Sequence, residues 1–293
     1  NAYLLTVAAC INLNDPAVRQ GCMVDARRAR RDSLQACADQ TASRLQVCAA
    51  VGEDRYDPDF SPANFETDFA HLSITNPYLP INVGNRWDYA GSGQTYRVEI
   101  LDRTKSIAGV TCVVQHDQVK QAGHVAEDTY DWLAQTHEGS VWYCGEQSSD
   151  YAVFAGDKPM TPELQNIDGS FKAGNDLAKA GMLMPATARV GMTFRQEVSL
   201  ANAEDVTQII TTSYRYGEHA DLDRLVPKAL ATLLCRGDCV VTHDFSPLEP
   251  GIVERKFFAP AIGFILVTVP ETGEVSQLVG CNFDPRCGSL PKP

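Results

Sequence analysis

The chain has no cysteine pair in a metal-ligand or haem-attachment spacing, although it carries ten cysteines in 293 residues. Zinc fingers and ribbons need C-x2-C pairs set against a second pair, and c-type haem needs C-x-x-C-H; neither occurs. The G-x-S-x-G elbow, the H-E-x-x-H helix and the glycine-rich phosphate loop are also missing, so no signature of a reaction is present. No apolar run reaches the roughly 18 residues of a membrane span. There is no N-x-S/T acceptor, which fits a bacterial exported protein. No basic, aromatic-interleaved stripe interrupts a chain of net charge −12, and that charge repels phosphate backbones, which excludes nucleic acid as a partner. The six histidines, His71, His116, His124, His137, His219 and His243, are dispersed, with no two at helical i, i+4 spacing. A copper or zinc site would have to be assembled from distant strands, and no cofactor is expected.

What is present is cysteine without a metal use, which points to an oxidising compartment, secreted or periplasmic, where thiols pair. Hydrophobic residues make up 44% of the chain, enough for two or three globular units.

Residues 1–52 form a cysteine-rich helical segment. Cys10, Cys22, Cys37 and Cys48 lie in it, and no Gly or Pro appears between Gly21 and Gly52. Asp15-Pro16 is a helix start, and Asp32-Ser33 can cap a second helix. On one helix Cys37 and Cys48 would sit about 16 Å apart, beyond disulfide reach. Folding the segment back at the basic run Arg27-Arg28-Ala29-Arg30-Arg31, read as a solvated hinge, sets Cys10 against Cys48 and Cys22 against Cys37. The expectation is a helical hairpin with two staples. Val7-Ala8-Ala9-Cys10 also looks like a lipobox, which would make Cys10 a lipid anchor. Parity and the lack of a basic n-region disfavour it, since lipidation would leave nine cysteines and one unpaired thiol. The apolar stretch around Tyr3, Leu4, Leu5 and Val7 has to bury itself in its own unit or in a second copy, so these residues are candidate assembly contacts and self is the candidate partner.

Residues 53–80 read as a proline-rich linker, in which Asp54, Asp57 and Asp59 could gather calcium but lack the turn glycine and distal Glu of an EF-hand. From residue 81 the pattern turns to strands. Two related β-meander units are expected, 81–180 and 181–293, opening on 80–89 and on 185–194 and each closing on a strand pair around a Gly. The fold class is therefore α+β, a disulfide-stapled helical hairpin followed by a mainly antiparallel β body.

Asn76-Pro77-Tyr78-Leu79-Pro80, Val83-Gly84-Asn85-Arg86-Trp87-Asp88-Tyr89, Ile107-Ala108-Gly109-Val110, Glu127-Asp128-Thr129, Gly139-Ser140-Val141-Trp142-Tyr143 and the 254–263 segment resemble a group of uncharacterised bacterial exported proteins. The resemblance spans about residues 76–280 and implies a secreted β-rich body, with no function attached.

The remaining cysteines suggest Cys112 with Cys144, Cys235 with Cys239, and Cys281 with Cys287; a Cys235 to Cys281 bond is an open alternative. Other candidates are ambiguous in chemistry. Glu127 and Asp131 share a strand face that Asp128 does not, so a solvated sheet face explains them as well as an acid/base pair does. Trp87, Trp132 and Trp142 could stack a sugar, though strand tryptophans usually pack in cores. Arg236-Gly237-Asp238 looks like an integrin-recognition loop, and a turn between cysteines explains it equally. The functional expectation is an exported, non-enzymatic structural or binding protein, with an envelope hydrolase or metal-dependent oxidase, or a lipid or ligand carrier, as alternatives.

Overall fold

The computed structural model describes residues 2–293 and divides into two compact units between Glu53 and Asp54. The first contains helices α1 (Ala2–Ile11) and α2 (Pro16–Val51). Asp15 starts α2 as its sequence suggested: its Oδ1 accepts from the backbone N–H groups of Ala17 (2.7 Å) and Val18 (3.1 Å), and Pro16 follows. Gly52, at φ 93°, ends it. The chain therefore reverses at residues 12–15, and the basic run from Arg27 to Arg31 lies inside a continuous helix rather than at a hinge. This corrects the expected staples. Cys22, Cys37 and Cys48 all ride on α2, where a separation of 15 residues is about 22 Å. Only the early turn brings two cysteines together, and Cys10 pairs with Cys22 at a Cα separation of 5.5 Å. Cys37 and Cys48 are unpaired. Arg30 sits 4.9 Å from the Tyr3 ring centroid, and Val7 is half-buried, while Leu4 and Leu5 stay exposed.

The second unit is built on one antiparallel sheet. Its strands are β1 (Arg86–Gly91), β2 (Gln94–Ile107), β3 (Val110–Gln121), β4 (His124–Gln135), β5 (Val141–Gln147), β6 (Asp150–Ala152), β7 (Glu163–Asn166), β8 (Phe171–Lys172), β9 (Lys179–Met184), β10 (Thr193–Arg195), β11 (Glu197–Val198), β12 (Val206–Arg215), β13 (Arg236–Phe245), β14 (Glu254–Ala259), β15 (Gly263–Val269) and β16 (Glu274–Cys281). The hairpins from β1 to β4 turn on two residues each, Ser92-Gly93, Ala108-Gly109 and Ala122-Gly123, all with positive φ. That is the primed turn whose twist matches paired strands, and it needs glycine at its second position.

The two stretches expected as separate meanders join edge to edge, because β1 pairs with β16. At the far side β10 pairs with β12 while β11 pairs with β9, and only Gln196 separates β10 from β11. One bent strand thus closes the order into a near-barrel. Its main core includes Ile81, Trp87, Ile100, Leu133, Tyr214, Phe257 and Leu278, with Leu222, Leu230 and Leu234 of the short helices α3 (Ala220–Asp223) and α4 (Lys228–Leu234) packed in. A smaller cluster around Cys112, Trp132 and Cys144 lies on the other face, covered by Phe60 and Phe65. The segment read as a linker is thus part of the body. Asn76 is fully buried: its Nδ2 donates to the carbonyls of Gly139 (2.7 Å) and Pro185 (3.2 Å), and its Oδ1 accepts from Tyr78 N and Leu79 N.

The body's disulfides are Cys112–Cys144, Cys235–Cys239 and Cys281–Cys287. Cys235 ends α4 and Cys239 lies in β13, so Arg236-Gly237-Asp238 opens a strand rather than turning a hairpin. Among the described residues no helix is long and apolar enough to cross a membrane.

Candidate ligand-binding cavity

Residues of alternate phase on β1, β2 and β3 point to the same side as the inward residues of β14, β15 and β16, and they line a partly open cavity of about 330 Å³. Its wall is mostly aromatic and aliphatic: Trp87, Tyr89, Tyr96, Val98, Phe264 and Val267, with Leu79 from the preceding segment. The polar atoms of the rings are used elsewhere. Trp87 Nε1 donates to the Ile262 carbonyl at 2.7 Å, Tyr89 Oη to the Phe264 carbonyl at 3.0 Å, and Tyr96 Oη to Gln94. The rings themselves are left to meet whatever occupies the space.

Gln115, Asp117, Glu254 and Ser276 supply the polar part of the wall. Gln115 is committed, since its Nε2 donates to Asp131 Oδ2 at 2.7 Å, and so is Glu254, whose carboxylate lies 3.1 Å from Lys256 Nζ. Asp117 is different. Its Oδ1 is sealed from solvent and has no hydrogen-bond partner. Burial, and then the carboxylates of Asp131, Glu127 and Asp128, push its carboxyl well above the usual range.

Beyond the cavity the inner face carries further acids. Asp131 accepts from Tyr143 Oη at 2.5 Å, and the same hydroxyl reaches Glu146 at 3.1 Å. Burial raises Asp131 to about 6 and Glu146 to about 9, the latter with help from Glu197 and Asp131. Glu197 is raised to about 8 by burial and by Asp205. Facing them, Lys256 bonds Asp244 at 3.0 Å; burial opposes its charge, but Asp244, Glu254 and Asp205 outweigh that and hold it protonated.

Asp131 and Glu146 do not make a reactive pair across an open space. Asp131 is not part of the wall of this cavity, and Glu146 borders a separate polar cleft with Lys105 and Asn202. Asp128 points to the opposite face, 2.6 Å from His116 Nε2, so β4 divides its three acids by phase as the sequence suggested. Trp87 belongs to the main core, Trp132 and Trp142 to the smaller cluster, and they form no common platform. Asp57 is taken by Arg55 and Lys179, and Asp59 by the Ser61 N–H and Asn64, so the 54–59 acids do not converge. Asp238 accepts from the Arg236 N–H at 2.8 Å, which ties that tripeptide to itself. Among the described residues no group of three or more His, Cys, Asp or Glu is arranged to hold a metal ion.

Asp117 was not singled out from sequence, although a signal was there: Val113, Gln115, Asp117 and Val119 share one strand phase, which sets an acid among inward residues. No family model, curated protein or solved structure matches the chain.

Proposed function

We propose that this is an exported, non-enzymatic binding protein whose near-barrel holds a small amphiphilic molecule. The observation that carries the reading is the aromatic-walled cavity with a single uncommitted carboxyl group, Asp117. Its volume lies at the small end of ligand sites, and a mostly apolar wall with few polar groups is what such sites share. The disulfides Cys112–Cys144, Cys235–Cys239 and Cys281–Cys287 fit a protein that works outside the reducing cytoplasm. The test is thermal unfolding of the oxidised protein against a panel of small amphiphiles, beside Val267→Trp, which fills the cavity. Ligand-dependent stabilisation that the variant loses supports the reading; a panel without any stabiliser overturns it.

A second reading, self-assembly through the N-terminal unit, is favoured by the exposure of Leu4, Leu5, Leu34 and Leu45 at 63%, 72%, 64% and 67%. Sedimentation at high concentration tests it, and a strict monomer rejects it.

A further inference from the structure

Resting on the reading of the cavity as a ligand site, we propose that its ligand is a small organic cation, an ammonium group on an apolar body, with the charge held by Asp117 and the aromatic wall. No Lys, Arg or His lines the cavity, whereas Asp117 and Glu254 do, so an anionic ligand would meet only like charge. A neutral apolar ligand would fill the space but offer no charge to the Asp117 carboxyl, which lines the cavity and has no hydrogen-bond partner of its own. An organic cation answers both conditions. It pairs with the carboxylate, and it is attracted to the electron-rich faces of Trp87, Tyr89, Tyr96 and Phe264, whose polar atoms are already bound to the wall or to Gln94. Nearby protein cations do not compete. Lys256 is engaged by Asp244 and Glu254, and Arg97 lies 2.8 Å from Asp88. The acids of β4 that face Asp117, Glu127 and Asp131, add negative potential at the same place.

The experiment compares two probes of equal shape, phenyltrimethylammonium and tert-butylbenzene, by calorimetric titration of the oxidised full chain and of Asp117→Asn. The expected result is at least ten-fold tighter binding of the cation to the native chain, with the preference lost in Asp117→Asn while tert-butylbenzene binding is unchanged. Equal or tighter binding of tert-butylbenzene to the native chain overturns the cation and leaves the ligand cavity standing. Binding of neither probe, together with no stabiliser in the amphiphile panel, removes both. The amide is nearly isosteric with the acid, and matching circular dichroism with a melting point no lower than that of the native chain separates lost recognition from lost folding.

Discussion

At Asn76 four backbone groups depend on one side chain: two carbonyls accept from its amide and two N–H groups donate to its oxygen. Asn76→Ala leaves them buried without partners, and at about 1 kcal/mol or more for each bond the variant should lose at least about 3 kcal/mol in urea denaturation. Asn76→Asp keeps the acceptor but sets a buried carboxylate oxygen against the two carbonyls, so it should lose at least as much as Asn76→Ala. Asp117 should behave in the opposite sense. It has no bond to lose at Oδ1 and sits in a field of like charge, so Asp117→Asn is expected to raise the urea midpoint at pH 8 while weakening ligand binding.

The seam between β9 and the bent strand β10/β11 is where the sheet closes, and Gly181 sets how near the strands come. A Cβ built there would lie 2.0 Å from the Gln196 carbonyl oxygen. Gly181→Ala should therefore open the seam, seen as faster amide exchange through residues 193–198 and a loss of several kcal/mol. In the helical unit, Leu34, Cys37, Thr41, Arg44, Cys48 and Val51 fall on the a and d positions of one stripe of α2. If copies associate through it, an antiparallel register sets Cys37 against Cys48 of the second copy, whereas a parallel one would stack the Arg27 to Arg31 runs on each other. Non-reducing peptide mapping of the associated protein should recover the Cys37 to Cys48 cross-link. Recovery of Cys37 bound to Cys37 would reject that register.

For the whole molecule, the buried acids of the inner face make stability depend on pH in an uncommon direction. Asp131 rises from 3.8 to about 6 and Glu146 from 4.5 to about 9, so between those values the folded chain holds more protons than the unfolded one. Stability then falls as pH rises, through about pH 4 to 6 for Asp131 and on to about 9 for Glu146. The Asp131 shift alone is worth on the order of 3 kcal/mol. The lowered acids Asp57, Glu66, Asp68 and Asp284 act below about pH 4 and do not reverse this slope. Urea midpoints should be higher at pH 5 than at pH 8, and Glu146→Gln should flatten the decline. A higher midpoint at pH 8 would contradict it.

Much of this architecture was written locally. The capped start of α2, the X-Gly hairpin turns and the division of β4's acids between two faces follow from backbone propensity and side-chain phase, which act over a few residues. The Cys10–Cys22 bond did not, because it depends on where the helix reverses, and Asp15-Pro16 and the basic run were both plausible reversal points until the chain ran straight through the latter. Closure of the sheet through Gln196, the joining of β1 to β16, and the meeting of Asp117 with Trp87, Tyr89 and Phe264 are contacts between residues far apart in the chain. Such contacts are selected by burial over the whole body, so only the tertiary structure decided them.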